Sequence, residues 1–168
     1  MLIRVENLSF TYGKSIEALH NISFEIAAGE LVALTGHNGS GKSTLVKHLN
    51  GLLKPSEGTV WIDNQNTINS QPAKLASTVA LLFQNPDDQI CKGTVWDEVA
   101  FGPKNLGYSN QKTHSLVEEA LTLFELEQFK QNNPHDFGYS KRKQIAMASI
   151  IAMDTPVLVF DEPTAGLD

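Results

Sequence analysis

The sequence predicts an α/β fold, and three observations carry that expectation. Glu30-Leu31-Val32-Ala33-Leu34-Thr35 is an apolar run of the kind found in strands buried on both faces, and it ends in a glycine-rich loop. Leu45, Leu49 and Leu52 then recur at helical spacing until Gly51 and Pro55 break the pattern. Val157-Leu158-Val159-Phe160 is a second buried-strand signal, and it ends in the acidic pair Asp161-Glu162.

The other elements follow in chain order. Leu2–Val5 and Ala18–Ile26 predict strands that form an antiparallel flap near the N-terminus, each followed by turn or polar residues. Gly58–Ile62 and Thr78–Phe83 predict further strands. From Gln84 the texture changes: Asn85-Pro86-Asp87-Asp88 is turn chemistry, and helical signals replace strand signals until Val157. Val95, Val99 and Ala100 predict one helix. Val117, Ala120, Leu121 and Phe124 predict another, with Ser109 as its cap. Ile145–Met153 predicts a third. The expected layout is a sheet-bearing core lobe of residues 1–84 and 145–168, interrupted by a helical subdomain at about 85–144.

Composition narrows the function classes. A chain of 168 residues suits one domain with a real core. The formal net charge of −6 argues against nucleic acid as the main partner, because phosphate backbones attract basic surfaces. Lys141-Arg142-Lys143 is a local exception, expected to be a solvated helix face. Cys91 is the only cysteine, so no internal disulfide is possible, which fits a reducing cytosolic setting. No apolar run approaches the ~20 residues of a membrane span, so any membrane role is expected to come through a partner.

Gly36-His37-Asn38-Gly39-Ser40-Gly41-Lys42-Ser43-Thr44 matches the phosphate-binding pattern G-x-x-x-x-G-K-[ST] in full. Its glycines allow backbone N–H groups to turn inward around phosphate oxygens without a Cβ clash. The helix that follows points its positive end at the same anion. The pattern assigns Lys42 to the β- and γ-phosphates of ATP and the Ser43 hydroxyl to Mg²⁺. Asp161, at the end of a buried strand, is then placed to join the metal shell. Glu162 is placed to polarise the attacking water as a general base. Alone, these two carboxylates would read as a solvated strand end; beside a phosphate loop, the functional reading prevails.

Together these segments resemble the ATP-binding subunits of ABC transporters from about Ile3 to Asp168. The resemblance implies that Tyr12 stacks on adenine, although in isolation it would be a half-buried strand-end residue. It implies that Gln84 is the glutamine of the Q-loop, contacting metal and water. It also implies that Asp161–Asp168 runs from the Walker B segment into the D-loop. Phe83–Ile90 and Val99–Gly107 are similar to the cobalt and energy-coupling-factor subfamily. That similarity implies a motor for uptake of a vitamin or transition-metal ion, on the cytoplasmic face of the membrane. A membrane-embedded transport subunit and a second ATPase subunit would be its partners. The acidic charge and these strings speak against a nucleic-acid-associated ABC ATPase.

Two departures from the family pattern matter. The signature motif, Leu-Ser-Gly-Gly-Gln in the family, falls on Phe137-Gly138-Tyr139-Ser140-Lys141 when counted back from Asp161 without gaps. Glycine then replaces the serine whose hydroxyl reaches the partner's γ-phosphate. The other alignment makes Ser140 the signature serine and deletes the two glycines. Either way the expectation is a heterodimer with one good site, or else a nucleotide-binding subunit impaired in hydrolysis. The second departure is the switch histidine, which in the family ends a strand after the D-loop. His20, His37, His48, His114 and His135 all precede Asp161. The fold is therefore expected to be incomplete at its C-terminus, with His37 in the loop and His48 on a helix surface.

Overall fold

The computed structural model describes residues 1–13 and 15–166. They form two compact units, Met1–Val79 and Ala80–Asp168.

The first unit is built on an antiparallel sheet of β1 (Ile3–Tyr12), β2 (Ile16–Ile26), β3 (Glu57–Ile62) and β4 (Gln65–Asn66), in the order β2-β1-β3-β4. Ile3 and Val5 on β1 bury against Val60 and Ile62 on β3, whose alternate residues face the same side. Strict alternation breaks at Glu6-Asn7, where Asn7 has φ 49° and the register shifts. This bulge returns Leu8 to the core and lets β1 continue well past the predicted Leu2–Val5. Gly58 makes the bulge possible: its φ is +79°, and a Cβ there would lie 2.3 Å from the Asn7 carbonyl oxygen.

Helix α1 (Lys42–Leu49) buries Leu45, Val46 and Leu49 in this unit, and the short α2 (Pro72–Leu75) adds Leu75. His48 is also fully buried, contrary to the expected helix surface. Its Nδ1 lies 2.8 Å from the Thr44 carbonyl, and its ring meets Phe10 edge-on at 4.8 Å. The position follows from helical spacing, since His48 stands three and four residues beyond Leu45 and Thr44, both inward-facing.

Glu30–Thr35 is not a strand. Leu31 is fully exposed, and Val32 and Leu34 are about half exposed, at 57% and 48%. Apolar side chains signal burial, but a strand exists only through its ladder. Among the described residues none pairs with this run, and Glu30 N–H bonds back to Ala27 in a turn.

In the second unit β5 (Val79–Leu82) pairs with β6 (Val157–Phe160), close to the predicted bounds of both. Three helices follow the predicted order: α3 (Val95–Asn105), α4 (Asn110–Leu123) and α5 (Tyr139–Ile151). Thr94 caps α3 by accepting from Asp97 N–H, and Ser109 caps α4 by accepting from Lys112 N–H. Leu82, Val99, Val117, Leu121, Ile145 and Ile150 share one core. The buried Glu98 carboxylate accepts from the N–H groups of Cys91 and Lys92, both at 2.8 Å, and so fixes the loop entering α3. No helix is long and apolar enough to cross a membrane among the described residues.

Burial lowers the His48 pKa below its ordinary value, against the pull of the Thr44 and Lys54 backbone carbonyls. The unfolded chain therefore takes up this proton at higher pH than the folded one, and stability is lost as pH falls through about 6.5. Urea midpoints should drop between pH 7.5 and pH 5.5, and His48→Gln should show a smaller drop. An equal drop in both would remove His48 as the cause.

Candidate functional site

The loop entering α1 is exposed from Gly36 to Ser40 and is shaped by glycine. Gly39 has φ +83° and Gly41 +90°, values that side chains rarely tolerate. Space is short as well: a Cβ on Gly41 would lie 2.6 Å from the Ala18 carbonyl on β2, and one on Gly36 would lie 2.7 Å from Ser40 Oγ. Ser40 N–H closes a turn onto the His37 carbonyl at 3.2 Å. His37 Nδ1 lies 3.0 Å from the Asn38 carbonyl. Lys42 Nζ donates to the carbonyls of Gly36 at 2.9 Å and His37 at 3.0 Å, so its ammonium spans the loop.

Gly41 is the N-cap of α1 and offers no side-chain cap. The first-turn amides thus have no partner from a capping side chain, and they lie behind a loop that presents backbone rather than side chain. Ser43 is half-buried in this turn. The Tyr12 hydroxyl lies 3.2 Å from Thr44 Oγ1, which ties the end of β1 to the loop. Tyr12 remains 40% exposed, its ring edge-on to Phe10 at 4.8 Å.

The second unit gathers the other expected residues. Gln84 follows β5, and Asp161 and Glu162 follow β6, so pairing of the two strands brings them together. Asp161 N–H donates to the Leu82 carbonyl at 3.2 Å. Glu162 takes φ 50°, and Gln84 Nε2 donates to its Oε2 at 2.7 Å. Of the D-loop reading, Leu167 and Asp168 lie outside the described residues.

Two residues at this cluster were not expected from the sequence. Lys143 is fully buried rather than part of a solvated face, and its Nζ donates to the carbonyls of Phe83 at 3.2 Å and Gln84 at 2.6 Å. Burial pushes its ammonium pKa down, while Asp161 and Glu162 pull it back up. Tyr139 donates its hydroxyl to the Gln84 carbonyl at 3.0 Å. Arg142 pairs with Asp87 at 2.9 Å, and Lys141 lies over the Phe129 ring at 5.1 Å. A signal for Lys143 was present: it stands three and seven residues before Ala146 and Ile150, on the buried stripe of α5. Gly138 is the N-cap of α5 and, as the gap-free alignment requires, supplies no hydroxyl there.

Of β6 only Val157 is buried, while Leu158 and Phe160 are exposed, so the strand is not the buried one its composition predicts. A glycine loop that opens a helix, followed in sequence by an acidic pair at the end of a strand, defines a P-loop NTPase. More narrowly, this chain belongs to the ABC transporter family, whose model matches residues 19–165. It is 45% identical over 167 residues to the energy-coupling factor transporter ATP-binding protein EcfA1 of Methanospirillum hungatei, covering 99% of this chain and 60% of that protein. It is 42% identical over 168 residues to a putative ABC transporter ATP-binding protein of Caldanaerobacter subterraneus, covering 100% of this chain and 30% of that one. Among solved structures it matches cbiO1 of Clostridium perfringens, described as part of the ABC transporter complex cbiONQ. That match has TM-score 0.84 and 36% identity, covering 99% of this chain and 67% of the other. A dimeric ATP-binding cassette bound to ADP and Pi in a post-hydrolysis state gives TM-score 0.87 at 29% identity, covering 99% and 76%. The chain thus spans 30–60% of the length of these two sequence relatives.

Gly41 supplies a direct test of the loop's geometry. Gly41→Ala should cost ~2 kcal/mol or more in urea unfolding, because positive φ and the Ala18 contact both penalise a Cβ. Gly93→Ala, with open space and no positive φ, should cost less than ~0.5 kcal/mol. Similar losses at the two positions would contradict the loop geometry.

Proposed function

We propose that the chain is the ATP-binding motor subunit of an ABC importer, coupling ATP hydrolysis to uptake of a vitamin or transition-metal ion. The observation that carries this reading is the 2.7 Å bond from Gln84 to Glu162, which supports it by holding a carboxylate next to Asp161 where a general base is assigned. The relatives' descriptions as energy-coupling factor transporter ATP-binding proteins, and that of cbiO1 as part of a transporter complex, support the transport role.

The loop fits a polyphosphate. Gly36 and Gly41 offer backbone where a Cβ would intrude, Gly39 turns at positive φ, and with His37, Asn38 and Ser40 they carry the loop to the first-turn amides of Lys42, Ser43 and Thr44, which point along the helix toward an anion. Lys42 would exchange two loop carbonyls for phosphate oxygens, and the exposed part of the Tyr12 ring would receive adenine. Among the described residues no three His, Cys, Asp or Glu side chains converge on a metal site. Mg²⁺ takes few protein ligands and many phosphate and water oxygens, and the resemblance assigns Ser43, Gln84 and Asp161 to it. When bound, Mg²⁺ neutralises charge on the phosphates. Glu162 would draw a proton from the attacking water, and Gln84 would keep the carboxylate aimed.

In this reading residues 1–84 and 145–168 make the core lobe and residues about 85–144 the helical subdomain. The subunit lies peripherally on the cytoplasmic face of the membrane, against a membrane-embedded transport subunit, with no role for nucleic acid. Its ATPase partner is a second, different subunit. Gly138 lacks the hydroxyl that the resemblance assigns to the partner's γ-phosphate, and one lost donor of that kind costs ~3 kcal/mol of barrier.

The purified chain should bind Mg-ATP and hydrolyse it slowly. Gly138→Ser with Ser140→Gly should raise kcat on the order of 100-fold. Lys42→Ala should abolish binding, whereas Glu162→Gln should bind ATP but not turn it over. Equal rates with and without these two substitutions would overturn the heterodimer reading. Turnover unaffected by Glu162→Gln would overturn the assigned base.

A further inference from the structure

We propose that Lys143 and Tyr139 are positioning residues for the catalytic pair: from the first turns of α5 they hold the Gln84 backbone, so that its side chain keeps Glu162 in place. The inference rests on the functional reading above and deepens it.

Three contacts converge on two consecutive carbonyls. Lys143 Nζ reaches Phe83 O at 3.2 Å and Gln84 O at 2.6 Å, and the Tyr139 hydroxyl reaches Gln84 O at 3.0 Å. Both lone pairs of the Gln84 carbonyl are thereby engaged. Gln84 is otherwise exposed and lies just past the end of β5, where the ladder no longer restrains it. Rotation of its peptide unit would carry the carboxamide away from Glu162 Oε2, which it now meets at 2.7 Å. On the far side of Glu162, a Cβ on Gly166 would lie 2.5 Å from Tyr139 Cε1, so the ring also abuts the backbone beyond the carboxylate. One side chain of α5 therefore touches the segments before and after the catalytic contact.

A space-filling role does not account for Lys143. An ammonium with no exposed surface is costly, and methionine would fill much the same volume without that cost. What the ammonium adds is directed donors, and the carboxylates of Asp161 and Glu162 favour its charge. Tyr139 makes the same point from the other direction. It stands where the gap-free alignment places a glycine, and a glycine side chain could donate nothing to Gln84.

The test uses the full chain and Mg-ATP, with three variants: Lys143→Met, Lys143→Arg and Tyr139→Phe. Single-turnover hydrolysis of radiolabelled ATP should slow about ten-fold in Lys143→Met and several-fold in Tyr139→Phe, with ATP affinity within about two-fold of wild type. Lys143→Arg should recover most of the rate. Independently of turnover, amide hydrogen exchange without nucleotide should speed up in peptides covering residues 83–86 in Lys143→Met and Tyr139→Phe, and stay unchanged over residues 36–45. Local exchange that does not change in either variant would overturn the proposal. So would losses of rate and affinity in parallel with exchange rising across the whole chain. If Lys143→Met does not fold, Tyr139→Phe carries the same readouts. A wild-type chain that hydrolyses nothing would count against the functional reading, and the exchange measurement would still decide the positioning roles.

Discussion

The turn from loop to helix at Gly41 leaves no space for a side chain. Its φ of +90° and the Ala18 carbonyl, 2.6 Å from where a Cβ would sit, together fix how the chain leaves the loop and enters α1. From that turn follow the uncapped start of α1, the reach of Lys42 back over Gly36 and His37, and the placement of Thr44 against the Tyr12 hydroxyl. A helix beginning without a side-chain cap is costly on a surface that only water meets. The same feature becomes an asset where a polyphosphate supplies the missing acceptors. Fold and chemistry meet at one backbone conformation.

The second unit solves a different problem with different means. There a carboxylate has to be held still at the end of a strand, and flexible side chains do the holding. Pairing of β5 with β6 brings Gln84 and Glu162 within reach, and the amide–carboxylate bond closes the contact. Behind it stands α5, whose buried Lys143 and half-exposed Tyr139 both end on the Gln84 carbonyl. The helix whose start the resemblance assigns to the partner's γ-phosphate is therefore also bound to the chain's own Gln84 segment. Its start at Gly138 lacks a capping hydroxyl.

Local signals made most of the fold legible in the sequence. The phosphate loop reads directly, because spacing and glycine content state a backbone requirement. β6 and the Ser109 cap of α4 fall where the residues placed them, since each depends on neighbours a few positions away. Two of the failures are long-range. Glu30–Thr35 has the composition of a buried strand, yet composition cannot reveal whether a ladder partner is present. β1 runs past Val5 because a bulge at Asn7 is permitted by Gly58, a residue fifty-one positions on. His48 and Lys143 looked like surface because polar residues usually are, and only helical phase against buried neighbours marks them as inward. At the site the Walker residues were visible as a motif, whereas Lys143 and Tyr139 act through carbonyls, which no sequence pattern records.

The central claim is that Gly36–Thr44 is a working phosphate cradle. Amide-resolved NMR of the isotopically labelled chain, titrated with ATP in the presence of Mg²⁺ and again in EDTA, tests it most directly. Saturable shifts concentrated at Gly39–Thr44, tighter with Mg²⁺ than without, are the expected result. Shifts absent from those amides, or spread evenly over both units and indifferent to the metal, would contradict the account.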